Sequence, residues 1–80
     1  MNITIIGGGF MGEAIVKGMI ASNQFEDASI SVIEIDQNKR AKLESNDIKT
    51  FSDYSHIQQA QIILLAVKPQ QIKELLNKLK

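Results

Sequence analysis

The chain of 80 residues contains no cysteine, and its nine basic side chains balance nine acidic ones to a net charge of zero. Without cysteine there is no disulfide framework and no thiolate metal site, which fits a reducing compartment such as the cytoplasm. Zero net charge argues against nucleic acid or an anionic membrane as a partner, because both favour a basic surface. The longest apolar run, residues 62–67, is far shorter than the roughly 20 residues that span a bilayer. With 44% hydrophobic residues, the composition predicts one small soluble globular domain.

Strand-like and helix-like patterns alternate along the chain, beginning with a strand directly after Met1, where a signal peptide would carry a basic segment. The predicted strands are residues 3–6, 30–35, 48–51 and 62–67. The predicted helices are residues 11–22, 37–45, 53–59 and 69–80. This β-α-β-α-β-α-β-α order predicts an α/β fold: a doubly wound parallel sheet, Rossmann-like, with helices on both faces. Because no strand follows the last helix, we expect a truncated chain, with residues 1–80 forming the amino-terminal half-domain of a larger enzyme.

Apolar residues at helical spacing predict which faces of the helices are buried. In the first helix, Met11, Ile15 and Met19 form a row that is expected to face the core. The stripe expected to bury the last helix is Ile72, Leu75, Leu76 and Leu79. The unbroken apolar run at 62–67 predicts a parallel strand covered on both faces. His56, the only histidine, has no partner at metal-ligand spacing and is expected at the surface.

A Gly-x-Gly-x-x-Gly motif, residues 7–12, follows the first predicted strand and opens the first helix. In a dinucleotide-binding loop, Gly7 allows the tight turn, Gly9 the approach of a pyrophosphate, and Gly12 the close packing of helix against strand. The backbone N–H groups and the positive end of the helix then face the phosphates. Glycine clusters also occur in ordinary turns, but the agreement of strand, motif, helix and second strand favours nucleotide binding.

In folds of this kind an acid at the end of the second strand is expected to hydrogen-bond the ribose of the bound nucleotide. Two acidic residues, Glu34 and Asp36, are candidates for this role. The Glu-Ile-Asp sequence at residues 34–36 is similar to a pattern of many NAD-linked dehydrogenases. It favours Glu34 as the ribose ligand and Asp36 as the N-cap of the next helix, with a solvated Glu34 as the alternative. The basic residues of that helix are Lys39, Arg40 and Lys42. They could attract a 2′-phosphate, although a solvated basic face is the favoured interpretation.

The loop Val67-Lys68-Pro69 leaves the fourth strand at the edge of the sheet where ligands bind in folds of this kind. It lies next to the loop formed by the glycine motif, residues 7–12, which is called the glycine loop below. From there it can contact the nicotinamide half of a dinucleotide. A solvated lysine ahead of a helix is the alternative interpretation of Lys68. Pro69 suits the first turn of a helix, where a missing N–H costs nothing.

Two segments together point to one enzyme family. Residues 7–15 read Gly-Gly-Gly-Phe-Met-Gly-Glu-Ala-Ile and are followed by Lys17-Gly18, and residues 66–70 read Ala-Val-Lys-Pro-Gln. Over its whole length the chain resembles the amino-terminal half-domain of pyrroline-5-carboxylate reductase. The resemblance implies reduction of 1-pyrroline-5-carboxylate to L-proline by NADPH or NADH, the last step of proline biosynthesis. The glycine loop is common to many dehydrogenases, whereas the continuation of the loop and the second segment are more specific.

The resemblance also implies which residues contact the cofactor. Together with the motif analysis, it gives Ile6, Gly7, Gly8, Gly9, Phe10, Met11, Gly12, Glu34, Ala66, Val67, Lys68 and Pro69. Asp53, a polar residue before the third predicted helix, is expected near the adenosine. The family usually has hydroxyl or basic residues after strand two, where this chain has Glu34 and Asp36, so the choice between NAD and NADP stays open.

The family's imine-binding and dimer-forming helical domain, with its expected catalytic hydroxyl donor, would lie carboxy-terminal to this chain. The resemblance therefore implies a homo-oligomer formed through that domain. It implies no catalytic residue within residues 1–80, so the chain alone is expected to bind dinucleotide weakly and to turn nothing over. Two other functions remain open: a non-catalytic NAD(H)-sensing module, and another dehydrogenase of the 3-hydroxyacid or arogenate/prephenate type. The sequence at 66–70 favours the reductase over both.

Overall fold

One parallel sheet of four strands organises the chain. The structure is a computed structural model that describes residues 1–78, apart from the side chains of Asn23 and Pro69. The strands are β1 (Asn2–Ile6), β2 (Ser29–Ile33), β3 (Lys49–Phe51) and β4 (Ile62–Leu65). The α-helices of the described residues are α1 (Phe10–Ala21), α2 (Gln37–Glu44) and α3 (Pro69–Lys78). The strand order β3-β2-β1-β4 confirms the predicted Rossmann-like α/β fold.

Alternating side chains of β1 supply a core on each face of the sheet. Ile5 packs on one face with Val16 of α1 and Leu43 of α2, and all three side chains are fully buried. Ile6 points to the opposite face, where it packs with Leu75 of α3. The sheet is therefore covered by α1 and α2 on one side and by α3 on the other, as the alternation of elements predicts.

The burial predicted for the fourth strand is wrong. Ile62, Ile63 and Leu65 are each 41–42% exposed. In the described part of the chain β4 pairs only with β1 and so lies at the edge of the sheet. An unbroken apolar run indicates a parallel strand. It does not show whether a further strand pairs with its free edge or whether helices cover both of its faces.

The face that α1 turns to the sheet also differs from the prediction. Met11 is 60% exposed, and the buried residues of the helix are Gly12 and Val16. Ile15 and Met19 pack beside them and are partly buried. The close approach of Gly12 to the glycine loop sets the rotation of the helix about its axis, which turns Met11 outward.

The weak helix predicted at residues 53–59 does not form. The segment consists of turns and a short 3-10 helix, Ile57–Gln59. The Asp53 carboxylate accepts hydrogen bonds from the backbone N–H of Ser55, at 3.0 Å, and from its hydroxyl, at 2.7 Å. Such local bonds offer the backbone an alternative to a helix. His56 is exposed, as predicted.

The remaining elements follow the sequence with small changes. The predicted strand at 30–35 already ends at Ile33. Asp36 caps α2 as predicted, because its carboxylate accepts the N–H groups of Asn38 and Lys39 at 2.8 and 3.2 Å. The predicted stripe of α3 is buried at Leu75 only. Its other members are half-buried Ile72, exposed Leu76 and Leu79, which lies outside the described residues. Within residues 1–78, none of the helices has the length and apolar character needed to cross a membrane.

Candidate functional site

A cavity of about 650 Å³ opens at the carboxyl ends of β1, β2 and β4. Its walls are the glycine loop, the residues that follow β2, the loop after β4 and one side of α3. The predicted site residues that line it are Ile6, Gly7, Gly9, Phe10, Met11, Glu34, Ala66, Val67 and Lys68. The cavity thus brings together three segments that are far apart in sequence, at the edge of the sheet where ligands bind in such folds.

Two glycines of the loop are required by packing. Gly7 has φ +108°, and a Cβ there would lie 2.5 Å from the carbonyl oxygen of Ala66. A Cβ on Gly12 would overlap the carbonyl oxygen of Gly7. The loop is held between neighbouring strands, since the Gly7 N–H donates to the carbonyl of Ile33 at 2.9 Å. Side chains at these two positions would displace backbone.

Gly9 differs from these two, because the space in front of it is open. Its φ of −75° suits any residue, and a Cβ there would meet only the Lys39 Nζ, at 3.9 Å. Gly9 also begins α1 without any side-chain cap. The first N–H of the helix with a backbone partner is that of Glu13, which donates to the Gly9 carbonyl at 2.9 Å. The preceding N–H groups are those that a helix start leaves for a ligand.

Glu34 is the acid that reaches the glycine loop. Its carboxylate accepts the N–H of Gly8 at 2.7 Å through one oxygen and the N–H of Asp36 at 2.9 Å through the other. It is thus fixed between the loop and the start of α2. Each carboxylate oxygen has a further lone pair, so the group can still accept hydrogen bonds from a ligand in the cavity.

The cations of α2 lie in three different settings. The Arg40 guanidinium donates to the carbonyls of Glu34 and Ile35 at 2.8 and 2.6 Å, and so closes the turn that leads into the helix. The Lys42 Nζ lies 3.5 Å from a carboxylate oxygen of Glu13. Lys39 lines the cavity and takes part in no ion pair within residues 1–78. Lys39 and Lys42 are exposed, as the favoured interpretation of a solvated basic face expects, whereas Arg40 is half-buried and bound to two carbonyls.

A family model described as NADP oxidoreductase, coenzyme F420-dependent, matches residues 2–80. The chain belongs to this family. It is therefore an oxidoreductase domain whose cofactor is a nicotinamide dinucleotide. The chain matches no curated protein and no solved structure to a significant degree.

The open face of Gly9 fits the cofactor of this NADP oxidoreductase domain. A dinucleotide needs one loop position without a side chain, so that the backbone can approach the pyrophosphate. Of the motif glycines, Gly9 meets that requirement, while Gly7 and Gly12 serve the turn and the packing of the helix. The three motif glycines thus lie in three different surroundings, and the pyrophosphate role of Gly9 stays a prediction.

Three predicted site residues are not among those that line the cavity: Gly8, Gly12 and Asp53. The side chain of Pro69, also predicted for the site, lies outside what the structure describes. Gly8 is buried against Leu43 and Glu34, and it contributes its N–H to the Glu34 carboxylate. The hydrogen bonds from the side chain and then the backbone of Ser55 lower the pKa of Asp53, whose carboxylate is engaged in that turn.

Tyr54, beside Asp53 in sequence, lines the cavity instead and was missed in the sequence. Burial, and then the nearby charge of Glu34, raise the pKa of Tyr54 above its ordinary value. The feature of the sequence that could have indicated Tyr54 is an aromatic residue in the loop after the third predicted strand, at the carboxyl edge of the sheet. The other lining residues not predicted are Ile33, Ile35, Lys39, Gln71, Glu74, Leu75 and Lys78. Gln71, Glu74 and Lys78 of α3 lie outside the apolar stripe of that helix, so the pattern of apolar residues predicts that they face solvent.

Proposed function

We propose that this chain is the cofactor-binding part of a pyrroline-5-carboxylate reductase, which reduces 1-pyrroline-5-carboxylate to L-proline with NADPH or NADH. The observation that carries the proposal is the direct contact between the two segments that resemble this family. A Cβ on Gly7 would meet the Ala66 carbonyl at 2.5 Å, and one on Gly12 would lie 3.6 Å from the Ala66 Cβ. The family match over residues 2–80 supports the broader part of this assignment, an oxidoreductase domain with a nicotinamide dinucleotide as its cofactor.

The residues of this chain bind and orient the cofactor, which supplies a hydride when bound. The N–H groups at the start of α1 and the bare face of Gly9 hold its phosphates, and Glu34 accepts hydrogen bonds from its adenosine ribose. Val67 and Lys68 line the cavity from the loop after β4, on the side proposed for the nicotinamide. Reduction of a cyclic imine needs no protein nucleophile, so orientation is the main contribution of this domain.

The imine site and the hydroxyl group that donates a proton are proposed to lie in a helical domain carboxy-terminal to residue 80. That domain would also form the homo-oligomer, and the enzyme would work in the cytoplasm. The test is a reductase assay on the natural gene product with 1-pyrroline-5-carboxylate and each reduced cofactor. Proline formation that depends on the cofactor is expected. A gene product that binds NADPH or NADH but forms no proline would refute the substrate, and would favour a sensor or another dehydrogenase.

Replacing Glu34 is expected to change the cofactor preference. The Glu34 carboxylate would meet the 2′-phosphate of NADPH as a like charge, whereas it would accept hydrogen bonds from the ribose of NADH. Glu34→Ser should therefore raise the ratio of NADPH affinity to NADH affinity by about tenfold, or roughly 1.4 kcal/mol. Because the carboxylate also holds the Gly8 N–H, the variant should bind NADH distinctly more weakly, while its NADPH affinity rises little.

Fluorescence titration of the chain with NADH and with NADPH gives both dissociation constants. Glu26→Ser is the matched control, since Glu26 is exposed and is not among the residues that line the cavity. The control should leave the ratio unchanged. An unchanged ratio in Glu34→Ser would remove Glu34 from the ribose and make Asp36 the next residue to test.

A further inference from the structure

The ammonium of Lys39 lies in front of the one loop glycine whose face is open. A Cβ built on Gly9 would have the Lys39 Nζ at 3.9 Å and no other atom outside its chain neighbours within 4 Å. The Lys39 ammonium therefore borders the open space beside Gly9 that a side chain would otherwise fill. An anion in that space would have backbone N–H groups of α1 on one side and an ammonium on the other.

We propose that Lys39 is a ligand of the cofactor's pyrophosphate, an inference that rests on dinucleotide binding in the cavity. A glycine loop holds phosphate by backbone N–H groups and the helix dipole, which need no side chain. In this chain a cation adds a charge-assisted hydrogen bond to that arrangement. The loop motif itself contains no basic residue, and the ligand comes from the second helix.

The surroundings of Lys39 leave its charge available for this role. Glu13, the acid in the first turn of α1, is engaged elsewhere, because its carboxylate binds Lys17 at 2.7 Å and Lys42 at 3.5 Å. The hydrogen bond from Lys17 is the main cause that lowers the pKa of Glu13. Two acids line the cavity with Lys39. Glu34 is bound to two backbone N–H groups, and Glu74 belongs to α3. None of these three acids forms an ion pair with Lys39 in the structure.

The position of the ammonium favours the pyrophosphate over the 2′-phosphate of NADP. The 2′-phosphate belongs to the adenosine ribose, for which the proposed ligand is Glu34. The Lys39 Nζ instead lies in front of Gly9, the loop position that a pyrophosphate approaches. A pyrophosphate ligand assists both cofactors equally, whereas a 2′-phosphate ligand assists only NADPH.

The test compares Lys39→Met with Lys42→Met in the full chain. Both variants remove one lysine charge from α2, but Lys42 pairs with Glu13 and is not among the residues lining the cavity. Titrations use NADH, NADPH, ADP and adenosine. Lys39→Met should weaken NADH, NADPH and ADP by a similar factor, roughly five- to tenfold or about 1–1.4 kcal/mol, and leave adenosine unchanged. Its NADH affinity should also depend less steeply on salt, because one screened charge contact is lost.

Each possible result decides the inference. Lys39→Arg should keep most of the affinity, and Lys42→Met should keep all of it. A loss confined to NADPH, an equal loss in Lys42→Met, or no loss in a folded Lys39→Met would each overturn the pyrophosphate assignment. If the unmodified chain binds neither NADH nor NADPH, both the proposed function and the pyrophosphate assignment of Lys39 are overturned. Circular dichroism spectra of all variants establish that the fold is kept.

Discussion

Replacing Gly9 with valine is expected to abolish dinucleotide binding and to leave the domain folded. The backbone of Gly9, at φ −75° and ψ −160°, is extended and lies outside the left-handed region that favours glycine. A Cβ there meets only the flexible end of Lys39, at 3.9 Å. The side chain would instead fill the space that the pyrophosphate needs. We expect the affinity for NADH to fall by at least about a hundredfold, or roughly 2.8 kcal/mol.

Calorimetric titration with NADH measures this loss, and circular dichroism with thermal unfolding checks the fold. Gly18→Val is the matched control. It makes the same substitution in α1, and a Cβ on Gly18 has no atom within 4 Å apart from its chain neighbours and the backbone of the same helix. The control should bind NADH like the unmodified chain. If Gly9→Val bound NADH normally with an unchanged spectrum, the glycine loop would not be the phosphate site.

The fold was predictable because local patterns and the glycine motif agree on it. Short β-branched runs at residues 3–6 and 30–33 indicate strands, and Asp36 marks the start of α2 by its capping chemistry. The motif fixes the connection between the first strand and the first helix. The rotation of α1 was not predictable from its apolar row, because the contact of Gly12 with the loop decides it.

The site was predictable where backbone geometry determines it, and less so where side chains meet by tertiary packing. Lys39 and Lys42 are three residues apart on one helix and carry the same charge, so no local pattern distinguishes them. Only the position of α2 places Lys39 over the loop and Lys42 beside Glu13. In the same way, the sequence analysis predicted Asp53 near the adenosine and missed Tyr54. The Asp53 carboxylate is engaged in the turn with Ser55, and the ring of Tyr54 lines the cavity.

Replacing Gly12 with alanine is expected to destabilise the fold itself. A Cβ at this position overlaps the Gly7 carbonyl oxygen, which is backbone and cannot rotate away. Helix α1 would have to move off the loop, and with it Val16, which is fully buried in the core. Overpacking of this kind costs about 3 kcal/mol or more. That is a large part of the roughly 4–12 kcal/mol that stabilises a domain of this size.

Thermal unfolding followed by circular dichroism measures the effect, which should lower the Tm by roughly 10–20 °C at this chain length. Gly18→Ala makes the same change six residues along the same helix, where a Cβ meets no other element of the fold within 4 Å. Alanine is the better helix former by about 1 kcal/mol, so this control should unfold at a higher temperature than the unmodified chain. The two alanine variants should therefore differ in opposite directions from a common reference. A Gly12→Ala variant with an unchanged Tm would mean that α1 does not pack on the glycine loop, and the assignment of Gly9 to the phosphates would lose its geometric basis.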